Sequence, residues 1–208
     1  MTFGEARTIL RNDVLAEAST DYYSDADLLG YLQRSAKEIA MNFGFPTALG
    51  SVNVNADDFT FNLPSDAANI DLNEVSFDGF ALTLAPRRRI LGAVQQASLG
   101  LPRYYNWEPK RGGQVAFAPK APRDAVVSFE YVKEYTPGDE NAEVWDGLFP
   151  AYHEVVVYRA AVKAFEASLE VDRSQYWLTR EQNVSQEFSL FLNETPLNKA
   201  IAQEVAES

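Results

Sequence analysis

The chain has 208 residues, enough for one ample domain or a domain carrying a sizeable insertion. With 46% hydrophobic and 12% aromatic residues, its composition is that of a globular protein and excludes a disordered one. A net charge of −12 argues against general polyanion binding or residence on an anionic membrane surface, and zero cysteines exclude disulfides and thiolate sites.

The opening residues, MTFGEARTILRND, lack the basic-then-apolar order of a secretory signal, so a soluble protein made in a cytoplasm is expected. Thr2 and Glu5 have capping-box spacing, and Phe3, Ala6, Leu10 and Val14 line one helical face behind them. A second helix opens at Ser24, with Asp25 and Asp27 near the positive end of its dipole. Leu28, Leu32, Ile39 and Phe43 form its stripe, and Gly44 with Pro46 ends it.

From about residue 50 the apolar period changes from 3.6 to 2. Phe59, Phe61 and Leu63 alternate with polar neighbours, and so do Val75 and Phe77, then Phe80, Leu82 and Leu84. Asp78-Gly79 between the last two runs predicts a tight hairpin. Residues 87–99 read as a short helix or a loop; Val115 with Phe117, and Val127 with Phe129 and Tyr131, read as strands.

After Trp145 the helical period returns, with Leu148, Val155, Tyr158, Val162, Phe165 and Leu169 on one stripe. A further helix over about 173–193 is expected to bury Trp177, Val184, Phe188 and Phe191, and Pro196 to break it. Beyond it Leu197, Ile201 and Val205 lie four residues apart on one narrow edge. The expected fold is α+β. Helices of 1–48 and 143–193 form one helical bundle, 49–142 is a β-rich insertion, and 194–208 is a tail for partner docking.

Chemistry-bearing patterns are sparse. The sole histidine, His153, falls inside a helix and reads as a partly buried structural group rather than a base or metal ligand. Asp25 and Asp27, the pair Asp57 and Asp58, and the cluster Asp139, Glu140 and Glu143 read as solvated turns or helix starts, without EF-hand spacing. No nucleophile elbow, phosphate-binding loop or dinucleotide fingerprint occurs, so no catalytic centre, metal or cofactor is expected.

Two features carry the functional weight. Arg87, Arg88 and Arg89 are the one basic run in an acidic chain, suited to an acidic neighbour protein, another copy of this chain included, or to phosphate. Tyr104, Tyr105 and Trp107 in GLPRYYNW are either interface anchors or a sugar-binding patch, against the plain reading of one ring in the core and one outside. The alternative function is accordingly a carbohydrate-binding β-module with flanking helices.

In order along the chain stand two N-terminal helices, a "GxPRYY" step at Gly100 to Tyr105, "APKAP" at Ala118 to Pro122, and "VSFEYVKEYTP" at Val127 to Pro137. The "HEVVVYRAAVKAFE" helix from His153 to Glu166 and the Tyr176-Trp177 pair follow. This arrangement, over roughly residues 3–193, resembles the head-to-tail adaptor (connector) proteins of tailed bacteriophages, including the tail tubular protein A group. The resemblance implies a non-catalytic virion protein at the head-tail neck, in a ring usually of twelve copies. It implies a portal protein and a tail or nozzle protein as partners, with DNA passing through the lumen unbound and no membrane. Leu197, Ile201 and Val205 would dock on the portal. Tyr104, Tyr105, Trp107 and Arg87 to Arg89 would meet the neighbouring subunit or the tail.

Overall fold

The computed structural model describes residues 1–16, 22–68, 74–95, 100–107 and 114–194, which hold five α-helices and two four-stranded sheets. They form two compact units. One comprises Met1–Phe43 and the described residues from Thr136 onward; the other is Gly44–Tyr135. Residues 136–142 belong with the helices rather than with the expected insertion, because Ala142 and Glu140 carbonyls accept from the Phe3 and Gly4 amides at 3.0 and 2.7 Å.

In the helical unit, α1 (Phe3–Ile9) starts on a complete capping box. Thr2 Oγ1 accepts from the Glu5 amide at 3.1 Å, and Glu5 Oε2 accepts from the Thr2 amide at 2.8 Å. A π-helical turn, Leu10–Val14, continues it. The helix α2 (Asp25–Phe43) is capped at Ser24, whose Oγ accepts from the Asp27 amide at 3.1 Å. It buries Leu28, Leu32, Ser35, Ala36, Ile39 and Ala40 along one stripe, and Gly44, at φ +71°, ends it. The helix α4 (Glu154–Ala167) is apolar on most sides, since it packs against both α2 and α5 (Val171–Glu194).

The buried line of α5 differs from the expected one. Ser174, Glu181 and Phe188, seven residues apart, are buried; Trp177 and Val184 are only half-buried and Phe191 is exposed. A seam that passes through a glutamate is invisible to a search for apolar periodicity. Leu148 and Leu169 are also exposed. Both fall outside α4: Trp145, Asp146 and Phe149 take positive φ and delay the helix until Glu154, and Leu169, itself at φ +63°, follows its end at Ala167. Such backbone costs of order 1–3 kcal/mol per residue. It is held here by the fully buried Trp145, whose Nε1 donates to the Ala36 carbonyl at 2.9 Å and whose ring lies stacked 5.9 Å from Phe188.

The β unit has three layers. One sheet runs β1 (Thr47–Val54), β8 (Ala125–Val132), β3 (Glu74–Phe77), β4 (Phe80–Ala81), all antiparallel. The other runs β2 (Thr60–Asn62), β7 (Gln114–Ala118), β6 (Tyr104–Trp107), β5 (Thr83–Leu84), with β5 parallel to β6. Their inner faces meet in one apolar core, where Phe61 of β2 stacks 5.3 Å from Phe129 of β8, and Phe77 of β3 lies 6.0 Å from Phe117 of β7. The helix α3 (Arg87–Gln95) forms the third layer. Its Ile90 packs with Ala85, Ala116 and Ala118 over the outer face of the second sheet.

Asp78 and Gly79 both adopt positive φ, +47° and +81°, the geometry of a tight two-residue hairpin between β3 and β4. The expected single strand from Phe80 to Leu84 is broken at Leu82, where the chain leaves one sheet and joins the other. The longest missed element is β1. Its alternation is interrupted by Gly50, needed because a Cβ there would stand 2.5 Å from the Phe129 ring.

Candidate functional site

The two tyrosines and the tryptophan lie on β6, and strand alternation separates them. Tyr105 and Trp107 point into the core, 6% and 8% exposed. The expectation that they stand free in a loop as anchors is therefore corrected, and so is the sugar platform, which needs the three rings together. Tyr104 points to the outer face, beneath α3. The Arg89 guanidinium sits 4.1 Å from its ring centroid, and Arg89 Nη2 donates to the Tyr104 hydroxyl at 2.8 Å.

The three arginines open α3, where cations face the positive end of the helix dipole at a cost of about 0.3–1 kcal/mol each. Their environments differ. Arg89 is engaged by Tyr104, and Arg87 is half-buried. Arg88 is exposed and, among the described residues, has no ion-pair or hydrogen-bond partner. It is the cation of the run left available for something outside the chain.

On the opposite side of the sandwich no described helix of the β unit lies on the first sheet. Its outer face carries Leu49, Ser51 and Asn53 from β1, Val126, Ser128 and Glu130 from β8, and Glu74 and Ser76 from β3. A hollow of about 280 Å³ lies there, lined by Leu49, Glu74, Ser76, Ala81, Ser128 and Glu130. Sequence reading missed this face. Its one local signal was Leu49 in an alternating run, and Glu74 and Glu130 become neighbours only through β3–β8 pairing.

The buried carboxylate of the helical unit is paired internally, while Ser35 Oγ of α2, fully buried, has no hydrogen-bond partner among the described residues. Glu181, 2% exposed, accepts from Arg159 Nη2 at 2.8 Å and Nε at 3.2 Å, and from Ser185 Oγ at 2.9 Å. Lys163 and Arg159 also reach Glu38, at 2.7 and 3.8 Å. This network borders a groove of about 450 Å³ between α2, α4 and α5, in which Arg159, Lys163 and Glu181 are paired within the network and Glu166 has no partner among the described residues.

His153 caps α4, almost fully buried, with its ring edge-on to Trp145 at 5.6 Å. Its Nε2 donates to the Leu148 carbonyl at 2.6 Å, and Nδ1 accepts from the Met1 amino group at 3.4 Å. Burial lowers its pKa below the ordinary histidine value, against the opposing pull of the Leu148 carbonyl and Glu143. The ring is a structural connector, but it stands at the N-cap of α4 rather than inside the helix where the sequence placed it.

The carboxylate pairs serve local structure. Asp27 caps α2, and Asp25 takes Arg11 at 2.9 Å and Arg7 at 3.6 Å. Asp58 accepts from the Asn55 amide at 2.7 Å, and Asp139 accepts from the Asn141 and Ala142 amides at 2.9 and 3.2 Å. Among the described residues no group of three or more potential ligands stands at metal-binding distance. No described helix is long and apolar enough to cross a membrane. Leu197, Ile201 and Val205 lie outside the described residues.

No curated protein matches the chain. The family model of the SU10 adaptor protein does match it, over residues 1–200, thus across both the helical and the β unit. The chain belongs to the SU10 adaptor protein family: it is a phage adaptor, a structural component of the virion.

Proposed function

We propose that this adaptor is one subunit of a head-to-tail ring that joins the portal of a tailed phage to its tail and surrounds the DNA channel. The observation that carries the reading is the family match across both units, which assigns the adaptor role to the whole chain rather than to a module within it. Kinship with the tail tubular protein A group and a ring of twelve copies belong to the same reading. So do assembly at the virion neck after synthesis in the host cytoplasm and the absence of catalysis.

Physical chemistry supports this division of labour. Net charge of −12 suits a lumen through which DNA slides, because a basic lining would hold phosphate. Leu197, Ile201 and Val205, on one edge of a segment too short and too thinly apolar to fold alone, are suited to ordering in a groove on the portal. Tyr104 and the α3 arginines are the members of the expected interface set that reach the surface of the β unit.

Truncation after Thr195 tests the docking tail. The shortened chain is expected to keep its far-UV circular dichroism and melting temperature but to stop co-sedimenting with portal particles. Normal co-sedimentation of the truncated chain would refute the tail assignment. Failure of the full chain to join portal particles at all would refute the adaptor position.

A further inference from the structure

The β unit presents two opposite faces whose chemistry is complementary. On one, Glu130 of β8 is only 8% exposed, yet it has no hydrogen-bond or ion-pair partner among the described residues. Directly across the β3–β8 ladder stands Glu74, exposed and equally unpartnered. Two carboxylates opposite one another on one face repel, and a mostly buried charge without a partner is costly. Among the described residues no cation is placed to offset the repulsion, and the Glu130 carboxylate is left to solvent at the hollow. Beside Glu130 on the neighbouring strand is Leu49, 85% exposed at the edge of the same hollow.

The other face is α3. Arg88 is exposed and unpartnered, and Leu91, one helical turn on, is also exposed. Residues three apart on a helix lie about 5–6 Å from each other, and directly opposed residues on antiparallel strands about 4.5–5.5 Å. A cation beside a leucine on one face therefore matches, in spacing, a carboxylate beside a leucine on the other. The planar guanidinium has donors enough for two carboxylates at once.

We infer that the uncovered face of the β1-β8-β3-β4 sheet receives α3 of a second copy of this chain, with Arg88 between Glu74 and Glu130 and Leu91 against Leu49. The two surfaces lie on opposite sides of one sandwich, so the contact is heterologous and repeats from copy to copy. Such contacts close into a ring when the rotation between copies allows it. The inference rests on the ring reading above and names the surfaces that would make it.

The chain has no cysteine, which permits a direct test. In the full-length Leu49→Cys, Leu91→Cys double variant, oxidation is expected to give a ladder on non-reducing gels that continues beyond the dimer. Arg88→Glu and Glu130→Arg, each alone, should weaken self-association at least about tenfold in sedimentation velocity. An equal mixture of these two variants should recover it, because alternating copies restore an opposite-charge pair at every interface. Glu74→Arg, at an exposed position, repeats the Glu130 test should Glu130→Arg misfold by circular dichroism. Normal association of all the charge variants, or no recovery in the mixture, would overturn this interface while leaving the ring intact. Wild-type chain that stays monomeric both free and on portal particles would instead overturn the ring reading.

Discussion

The helical unit and the β unit handle charge differently. In the helical unit, cations and carboxylates are linked in chains: Arg7 and Arg11 to Asp25, Arg7 on to Glu140, and Glu38 through Lys163 and Arg159 to the buried Glu181. The β unit pairs Arg123 with Asp78 and Lys133 with Asp66 at its surface, but among the described residues Glu74, Glu130 and Arg88 have no partners. A unit whose buried carboxylate is paired with a cation of its own needs no outside partner for that charge. One whose shielded carboxylate meets only solvent leaves that charge free for contact with another molecule.

Neutralising one carboxylate in each unit breaks this comparison if it is wrong. Glu181→Gln removes the partner of Arg159 inside the helical layer and should cost about 1–3 kcal/mol. Glu130→Gln removes a charge that has no partner among the described residues, so the isolated chain should lose nothing or gain up to about 1 kcal/mol. Urea unfolding midpoints at one pH and salt concentration give both signs. If Glu130→Gln destabilised the chain as Glu181→Gln does, Glu130 would have a favourable environment within the monomer, and the contrast between the units would vanish.

Which parts of this arrangement could be read in advance depends on how local the signal is. The capping box at Thr2 and Glu5 and the hairpin at Asp78-Gly79 are determined by residues within four positions, and both form as the residues imply. The strand containing Val127, Phe129 and Tyr131 declares itself because one face is wholly apolar. By contrast β1 is obscured by Gly50, whose missing side chain makes room for a ring from another strand. The break at Leu82 is obscured because an alternating run looks the same whether it stays in one sheet or crosses to the next. The fates of Tyr104, Tyr105 and Trp107 follow from alternation, but the choice of which parity faces inward is made by the second sheet. The pairing of Glu74 with Glu130 exists only at the level of the sheet, and no local pattern announces it.

Trp177 sharpens the same point within the helical unit, at a smaller scale. Apolar periodicity expects it in the core, where truncation would cost about 3–5 kcal/mol. In the structure it is half-buried, stacked 5.3 Å from Tyr158 with Arg180 above it at 5.8 Å. Trp177→Ala should therefore cost only about 1–2 kcal/mol, from partial burial and one ring pair. A loss as large as a core deletion, measured by the same urea titration, would mean that the ring is covered in solution.

The smallest expected effect comes from His153, the one histidine of the chain, and it belongs to the helical unit alone. Burial holds its folded-state pKa below 6.5, so between 6.5 and that lower value the unfolded chain binds the proton and the folded chain does not. Stability contributed by the neutral ring is thus fully present above about pH 6.5 and is lost as pH falls through that window. His153→Gln keeps a donor for the Leu148 carbonyl but cannot titrate. It should be less stable than wild type at pH 7.5 and should lose less on going to pH 5.5, with the carboxylates contributing equally to both proteins. A wild-type chain that instead gained stability relative to the variant on acidification would place a charged imidazolium beside Trp145 and reverse the assignment of the Leu148 hydrogen bond as the anchor of a neutral ring.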